Sequence, residues 1–199
     1  DVSHQSYAHK LITGRRKGYI DDNSFNLITG YTEPCESIHD IFCMGHTSTS
    51  ISLASGIAKS RDNKNEKFNI IAVIGDGSLS GGEALEGLNV VGGEFDTNFI
   101  IIINDNNQFI AEPCGAISKN LKLLRETNGL TDKNLFKILG FDYKFLKDGN
   151  DISKLIDLFK SIKDIDHPIV LHICTEKGHG YDYAVEDKEN WHWCVPFDR

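Results

Sequence analysis

The chain is poor in several things at once. It has four prolines, one methionine and two tryptophans among 199 residues, and it lacks any run of about eighteen apolar residues that would cross a bilayer as a helix. Positive charge is in deficit: 21 lysines and arginines face 29 aspartates and glutamates, giving a net charge of −8. An acidic chain without a basic cluster suits neither nucleic acid nor an anionic membrane, and neither partner is expected. The five cysteines (Cys35, Cys43, Cys114, Cys174 and Cys194) are odd in number and form no CxxC pair. Reduced thiols and no zinc site are therefore expected. No repeat, low-complexity tract or secretory leader stands out, which fits one sizeable, soluble, cytoplasmic domain. A GxGxxG after a strand and a GxxxxGK(S/T) are also missing, so neither a dinucleotide fingerprint nor a P-loop fits.

What is present is organised around residues 70–108. Two β-branched apolar runs, Ile70–Ile74 and Phe99–Ile103, stop abruptly, the first at Gly75-Asp76-Gly77 and the second at Asn104-Asp105-Asn106. Between them, Ser80 to Val91 reads as a helix with Leu85, Leu88 and Val91 on one side. This is the pattern of buried parallel strands joined by a crossover helix. Further along, helices are expected over Ile117–Glu126, Asn134–Leu139 and Asp151–Lys163, with Leu155, Ile156, Leu158 and Phe159 of the last facing the core. Strands are expected at Tyr143–Leu146 and Pro168–Ile173. Upstream, Ser48–Lys59 reads as a helix capped by Thr47 or Ser48. Residues Gly18 to Asp40 read as a surface connection, with Glu33 and Glu36 as ordinary exposed charges. The fold class is α/β: a three-layer, doubly wound, mostly parallel sheet with helices on both faces.

Ligands of such sheets sit beyond the carboxyl ends of the strands, where Asp76 and Asn106 fall. A carboxylate and an amide oxygen from adjacent strand ends suit a hard cation such as Mg2+, completed by phosphate and water. Glycines beside Asp76 let the backbone approach a phosphate, and Ser78 and Ser80 stand near the start of the next helix. The same two tripeptides are also compatible with ordinary turns.

The segment GDGSLSGGEALEGLN followed by INDNNQF resembles the thiamine-diphosphate motif of transketolase-type enzymes. That motif opens on GDG and closes roughly thirty residues later on an Asn pair. Three further stretches, DVSHQSYAHKLITGR (1–15), GHTSTSIS (45–52) and KGHGYDYA (177–184), are similar to the 1-deoxy-D-xylulose-5-phosphate synthase family, in the right order over most of the chain. The resemblance implies the thiamine-diphosphate-binding fold, and Mg2+ held by Asp76, Asn106 and the backbone carbonyl of Gln108. It implies cofactor contacts from His4, His46, Ser48, Gly75, Asp76, Gly77, Ser78, Asn106 and Lys177, and puts His4 and His192 near the reacting centre. Outside that context His4 and His9 read as solvated loop histidines, Lys177 as a solvated strand-end lysine, and Trp191 and Trp193 as packing residues.

The implied chemistry is transfer of a two-carbon unit from pyruvate, with loss of CO2, to glyceraldehyde 3-phosphate on the route to isoprenoids. Ketol transfer between sugar phosphates and a non-catalytic thiamine-diphosphate-binding module stay open beside it. In such enzymes a separate pyrimidine-binding domain, in the same or a partner chain, completes a site formed in a homodimer. The chain is then expected to be a fragment of a longer one, inactive alone. It departs from the family pattern at His179 and in a shortened segment after Glu126.

Overall fold

The computed structural model describes residue 1 and residues 5–192, the side chains of Gln5 and Phe25 aside. His4, Trp193 and Cys194 therefore lie outside the described residues. The first part of the chain forms short helices: α1 (Gln5–Lys10), a turn over Leu11–Arg15 kinked at Thr13 and Gly14, and α2 (Lys17–Ile20). A 3-10 turn, Asp22–Leu27, follows. Then come α3 (Ser50–Asn63), β1 (Ile71–Gly75), α4 (Gly82–Glu94), β2 (Phe99–Asp105), α5 (Gly115–Glu126), α6 (Leu135–Ile138), β3 (Asp142–Leu146), α7 (Ile152–Lys160), β4 (Pro168–Cys174) and α8 (Asp182–Glu186).

The four strands are all parallel, in the order β1-β2-β4-β3. Each run of Ile and Val puts alternate residues on opposite faces, so a strand buried on both sides must be apolar throughout. Phe99, Ile101 and Ile103 of β2 pack with Ile51, Ala54 and Ala58 of α3, Leu88 and Val91 of α4, and Leu121 and Leu124 of α5. Ile100 and Ile102 point the other way, joining Ile169, Leu171 and Ile173 of β4 against Leu155 and Leu158 of α7. The result is the expected three-layer arrangement with helices on both faces. The register pairs Gly75 with Asn104 and Asp105 with Cys174, which brings three strand ends together at one edge.

Three expectations about faces need correction. Leu85 is exposed on α4, whose inner face is Ala84, Gly87, Leu88 and Val91. Gly87 lets α3 approach so closely that a Cβ there would lie 2.9 Å from Ile51, so the small residues set the face. On α7, Ile156 and Phe159 are exposed along with Ile152, and only Leu155 and Leu158 reach the sheet.

The third correction concerns Glu36. It is no exposed charge: it accepts from Lys10 Nζ at 2.7 Å and from the Thr29 N–H at 2.5 Å, and pairs with Arg15 at 3.2 Å. Lys10 is fully buried, and its Nζ also donates to the Thr29 carbonyl at 2.7 Å. Asp40, likewise buried, receives both Arg15 guanidinium nitrogens at 2.5 and 2.7 Å, His9 Nε2 at 2.8 Å and the Glu33 N–H at 2.8 Å. Chiefly through the Arg15 bonds, the Asp40 carboxyl is held well below the usual carboxylate range. A paired, multiply hydrogen-bonded ion network takes the place of an apolar core under this part of the chain.

Candidate functional site

Asp76 follows directly on β1 and is 5% exposed. Its main-chain N–H donates to the Asn104 carbonyl at 3.2 Å, which continues the sheet by one residue and fixes the carboxylate over the strand ends. The Asp76 carboxylate accepts from the Gly77 N–H at 3.0 Å, and the Gln108 N–H also acts on it. Burial, and then the neighbouring charge of Asp105, push its pKa up to about 7 despite those two donors.

The second strand end folds back as a tight turn. Asp105 accepts from the Asn107 N–H at 2.9 Å, Asn106 Oδ1 accepts from the Gln108 N–H at 3.1 Å, and Asn107 sits at φ +54°, a conformation that asparagine tolerates. Asp105 is 1% exposed, bonded to His172 Nε2 at 2.7 Å and ion-paired with Arg125. Burial alone would raise its pKa; the His172 bond and the charges of His172 and Arg125 outweigh it, so this carboxyl stays below its ordinary value. Two adjacent carboxyls thus have different states, one held ionised and one poised near neutrality. On the far side, His172 Nδ1 bonds the Tyr143 hydroxyl at 2.7 Å.

The segment after Asp76 is positioned by close packing. A 3-10 turn, Ser78–Ser80, separates it from α4, so Ser78 and Ser80 precede the helix instead of opening it. Ser48 does not cap α3 either. It sits at φ +74° two residues before the helix, its Oγ donating to the Ser78 carbonyl at 2.7 Å and its N–H to Asp1 Oδ2 at 2.9 Å. The residue at the cap position is Thr49, with no side-chain cap bond. Gly81 faces this latch so closely that a Cβ would fall 2.0 Å from Ser48 Oγ. Gly81→Ala should therefore cost about 1–3 kcal/mol by overpacking, and Ser48→Gly, which suits the positive φ, should recover most of that loss in the double variant. Chemical denaturation of the four proteins checks it; an additive pair would mean the contact is not the cause.

His46 is exposed in the loop just ahead of Ser48. Gly77 packs under the Phe109 ring, at 3.2 Å for an added Cβ. Lys177 reaches back across the mouth after β4 to donate to the Phe109 carbonyl at 2.8 Å and to meet His192 Nδ1 at 2.8 Å. Its burial lowers its pKa, and the charge of Asp76 opposes that fall. Trp191 packs edge-on against Tyr181 at 5.2 Å between centroids, in keeping with a packing role. The structure thus gathers Gly75, Asp76, Gly77, Ser78, Asn106, Gln108, Ser48, Lys177 and His192 along one edge of the sheet. His4 falls outside the described residues. Asp105, His172 and Arg125 had no role in the sequence reading. The one available signal was the polar His172 inside an otherwise apolar strand, PIVLHIC.

The residues present fit a hard cation. Asp76 is a buried carboxylate whose charge is suppressed, whose donors are backbone N–H groups, and whose neighbours offer amide and carbonyl oxygens; a divalent ion bound there would restore that charge. Asp105, His172 and Cys174 also lie within 4.8 Å of one another. They do not fit a thiolate site, because burial and the charge of Asp105 push the Cys174 thiol up to about 12 and Asp105 and His172 are bonded to each other.

Compared with known proteins, residues 1–132 and 125–175 match the family model described as 1-deoxy-D-xylulose-5-phosphate synthase. The two matched stretches meet where α5 gives way, through Asn128 and Gly129 at positive φ, to the shortened segment. The chain is 39% identical to the 1-deoxy-D-xylulose-5-phosphate synthase of Caldanaerobacter subterraneus subsp. tengcongensis over 234 aligned residues, covering 100% of this chain and 38% of that protein. It is 36% identical to the synthase of Clostridium kluyveri (100% and 37% covered) and 41% identical to that of Listeria monocytogenes (99% and 33%). The chain spans little more than a third of the length of these curated relatives.

Proposed function

The chain belongs to the 1-deoxy-D-xylulose-5-phosphate synthase family, and from that membership we propose that it is the cation- and diphosphate-holding domain of a thiamine-diphosphate-dependent transferase. The reaction is condensation of pyruvate with glyceraldehyde 3-phosphate, with release of CO2. The observation that carries this reading is the pairing of Gly75 with Asn104, which sets Asp76 beside the Asn106–Gln108 turn. In it, Asp76, Asn106 and the Gln108 carbonyl hold Mg2+. Gly75, Gly77, Ser78, His46 and Ser48 line the diphosphate, and His4 completes its surroundings.

Thiamine diphosphate, when bound, supplies the nucleophilic carbon that takes the two-carbon unit. The protein's part is to bind and orient. Lys177 contributes positive charge on the anion side, and its contact with His192 Nδ1 keeps that ring at the same mouth, where His192 serves in substrate contact or proton transfer. A pyrimidine-binding domain, in the same chain or a partner, and a homodimeric assembly complete the site. The exposed Ile12, Ile20, Leu27, Ile38 and Ile41 in the first part of the chain support a covered surface there. Among the described residues no helix is long and apolar enough to cross a membrane. The cytoplasmic location proposed for the enzyme rests on its family membership.

The test is turnover of the full-length protein with Mg2+ and thiamine diphosphate. CO2 release from pyruvate in the presence of glyceraldehyde 3-phosphate is the expected result. Activity only with xylulose 5-phosphate and ribose 5-phosphate would move the chain to ketol transfer. Cofactor binding with silence toward both would leave a non-catalytic binding module.

A further inference from the structure

We propose that Arg125 is a positioning residue: a bolt from α5 that holds the 105–108 turn in the shape needed to face Asp76. The inference rests on the reading of that turn as part of a cation site. The guanidinium bridges two points of the turn, pairing with Asp105 through Nη1 and donating to Asn107 Oδ1 at 2.5 Å through Nη2. These are the residues immediately before and after Asn106, so the side chain between them has its backbone fixed on both sides. The opposite flank is tied to β4: His172 Nε2 meets Asp105 at 2.7 Å, the Thr175 N–H donates to the Asp105 carbonyl at 2.9 Å, and Thr175 Oγ1 donates to Asn104 Oδ1 at 2.6 Å. Asp105 is fully buried while the Arg125 side chain is 21% exposed, so Arg125 closes the network from the solvent side. Its planar fork is what the geometry uses; a lysine carries the charge but cannot span both acceptors in one plane.

Position and charge predict opposite signs. Removing a positive charge near a cation site strengthens cation binding by Coulomb's law, whereas releasing the turn weakens it. The experiment measures Mn2+ uptake with thiamine diphosphate by calorimetry in the full-length protein, for wild type, R125Q, R125K and N107G. N107G suits the positive φ and removes the second acceptor, with the added backbone freedom of glycine acting in the same direction. R125Q should bind Mn2+ about ten-fold more weakly, the scale typical of partners behind a metal ligand, with R125K and N107G in between. K122Q, one turn earlier on the same helix with its side chain 69% exposed, makes the same charge change without touching the turn and should match wild type. Unchanged or tighter binding in R125Q, or an equal loss in K122Q, overturns the proposal. A second readout needs neither cation nor cofactor: amide hydrogen exchange across residues 104–109 should quicken in R125Q by more than the global loss of stability, read from the denaturation midpoint of the same variant, accounts for. Unaltered exchange there overturns the bolt whatever occupies the site. Quickened exchange in a protein that takes up no Mn2+ even as wild type would instead sink the cation reading, and the role of Arg125 toward a cation with it.

Discussion

Asp76→Asn should weaken divalent-cation binding by at least about a hundred-fold, beyond the range typical of changes behind a ligand, and should stabilise the cation-free fold at the same time. The second effect follows from its protonation. Because the folded pKa is raised to about 7 from an ordinary 3.8, the native state keeps a proton that the unfolded chain has released. Stability from that proton is fully present below about pH 4 and is lost as the pH climbs through 7. The ceiling on the loss is roughly 4 kcal/mol. Asparagine cannot ionise, so its advantage over wild type should be small at pH 4, grow through pH 6 and level off above 7. Denaturation midpoints with chelator present would show this, and a gap that does not widen with pH would remove the argument for a suppressed charge. Proton and cation compete for the same oxygens, so wild-type Mn2+ affinity should rise with pH over the same interval and then flatten.

Asp40→Ala carries the second large effect, on stability alone. The carboxylate has no exposed surface and four hydrogen-bond contacts, and its removal leaves the mostly covered Arg15 side chain with Glu36 and Thr13 as its side-chain partners among the described residues. Breaking a buried charge pair from one side costs about 3–5 kcal/mol. The loss should appear first as proteolytic opening between residues 11 and 45, ahead of the sheet. The pH signature has the opposite sign to that of Asp76. Arg15 holds the Asp40 carboxyl below its ordinary value, so its contribution is present above about pH 4 and is lost as pH falls through the depressed folded value. In the variant, acid unfolding should lose that component, while Glu36, also lowered, retains its own. A variant that melts within a degree of wild type would show that the network does not hold this region.

How far the sequence carried the structure depends on the range of the interactions. Strands β2 and β4 were legible because each is buried on both faces and so is a run of apolar residues, and β1, an edge strand with Ile71 exposed and Ala72 and Ile74 buried, carries the same β-branched character. Asp151 stood at the expected start of its helix and caps it: its carboxylate accepts from the Ser153 and Lys154 N–H groups. Asp76 and Asn106 stood out by their place at strand ends. By contrast, nothing local marks Lys10, Glu36, Arg15 and Asp40 as buried, since each reads as a surface charge until the chain brings together residues more than twenty positions apart. Ser48 looked like a cap because a hydroxyl beside a helix start usually is one; its partner, thirty residues away, was invisible. Leu85, Ile156 and Phe159 were assigned inward on apolar character alone, although α4 uses Ala84 and Gly87 for its inner face and α7 offers more apolar surface than one helix can bury.

The strand order has a consequence for how the chain comes to be folded. β3 is made before β4, yet its sheet partner is β4, which also separates it from β2. During synthesis β1 and β2 can zip together around α4 as soon as they emerge. Residues 142–146 must wait, with an open edge, until residues 168–174 arrive and slot between two strands that are already made. The last insertion closes loops in both directions and pays their entropy together, so it is the natural slow step. It is also the interval in which an unpaired strand is exposed to other chains. That same insertion seats His172 against Asp105 and Thr175 against Asn104, so the cation-facing turn acquires its final shape only when the sheet is complete.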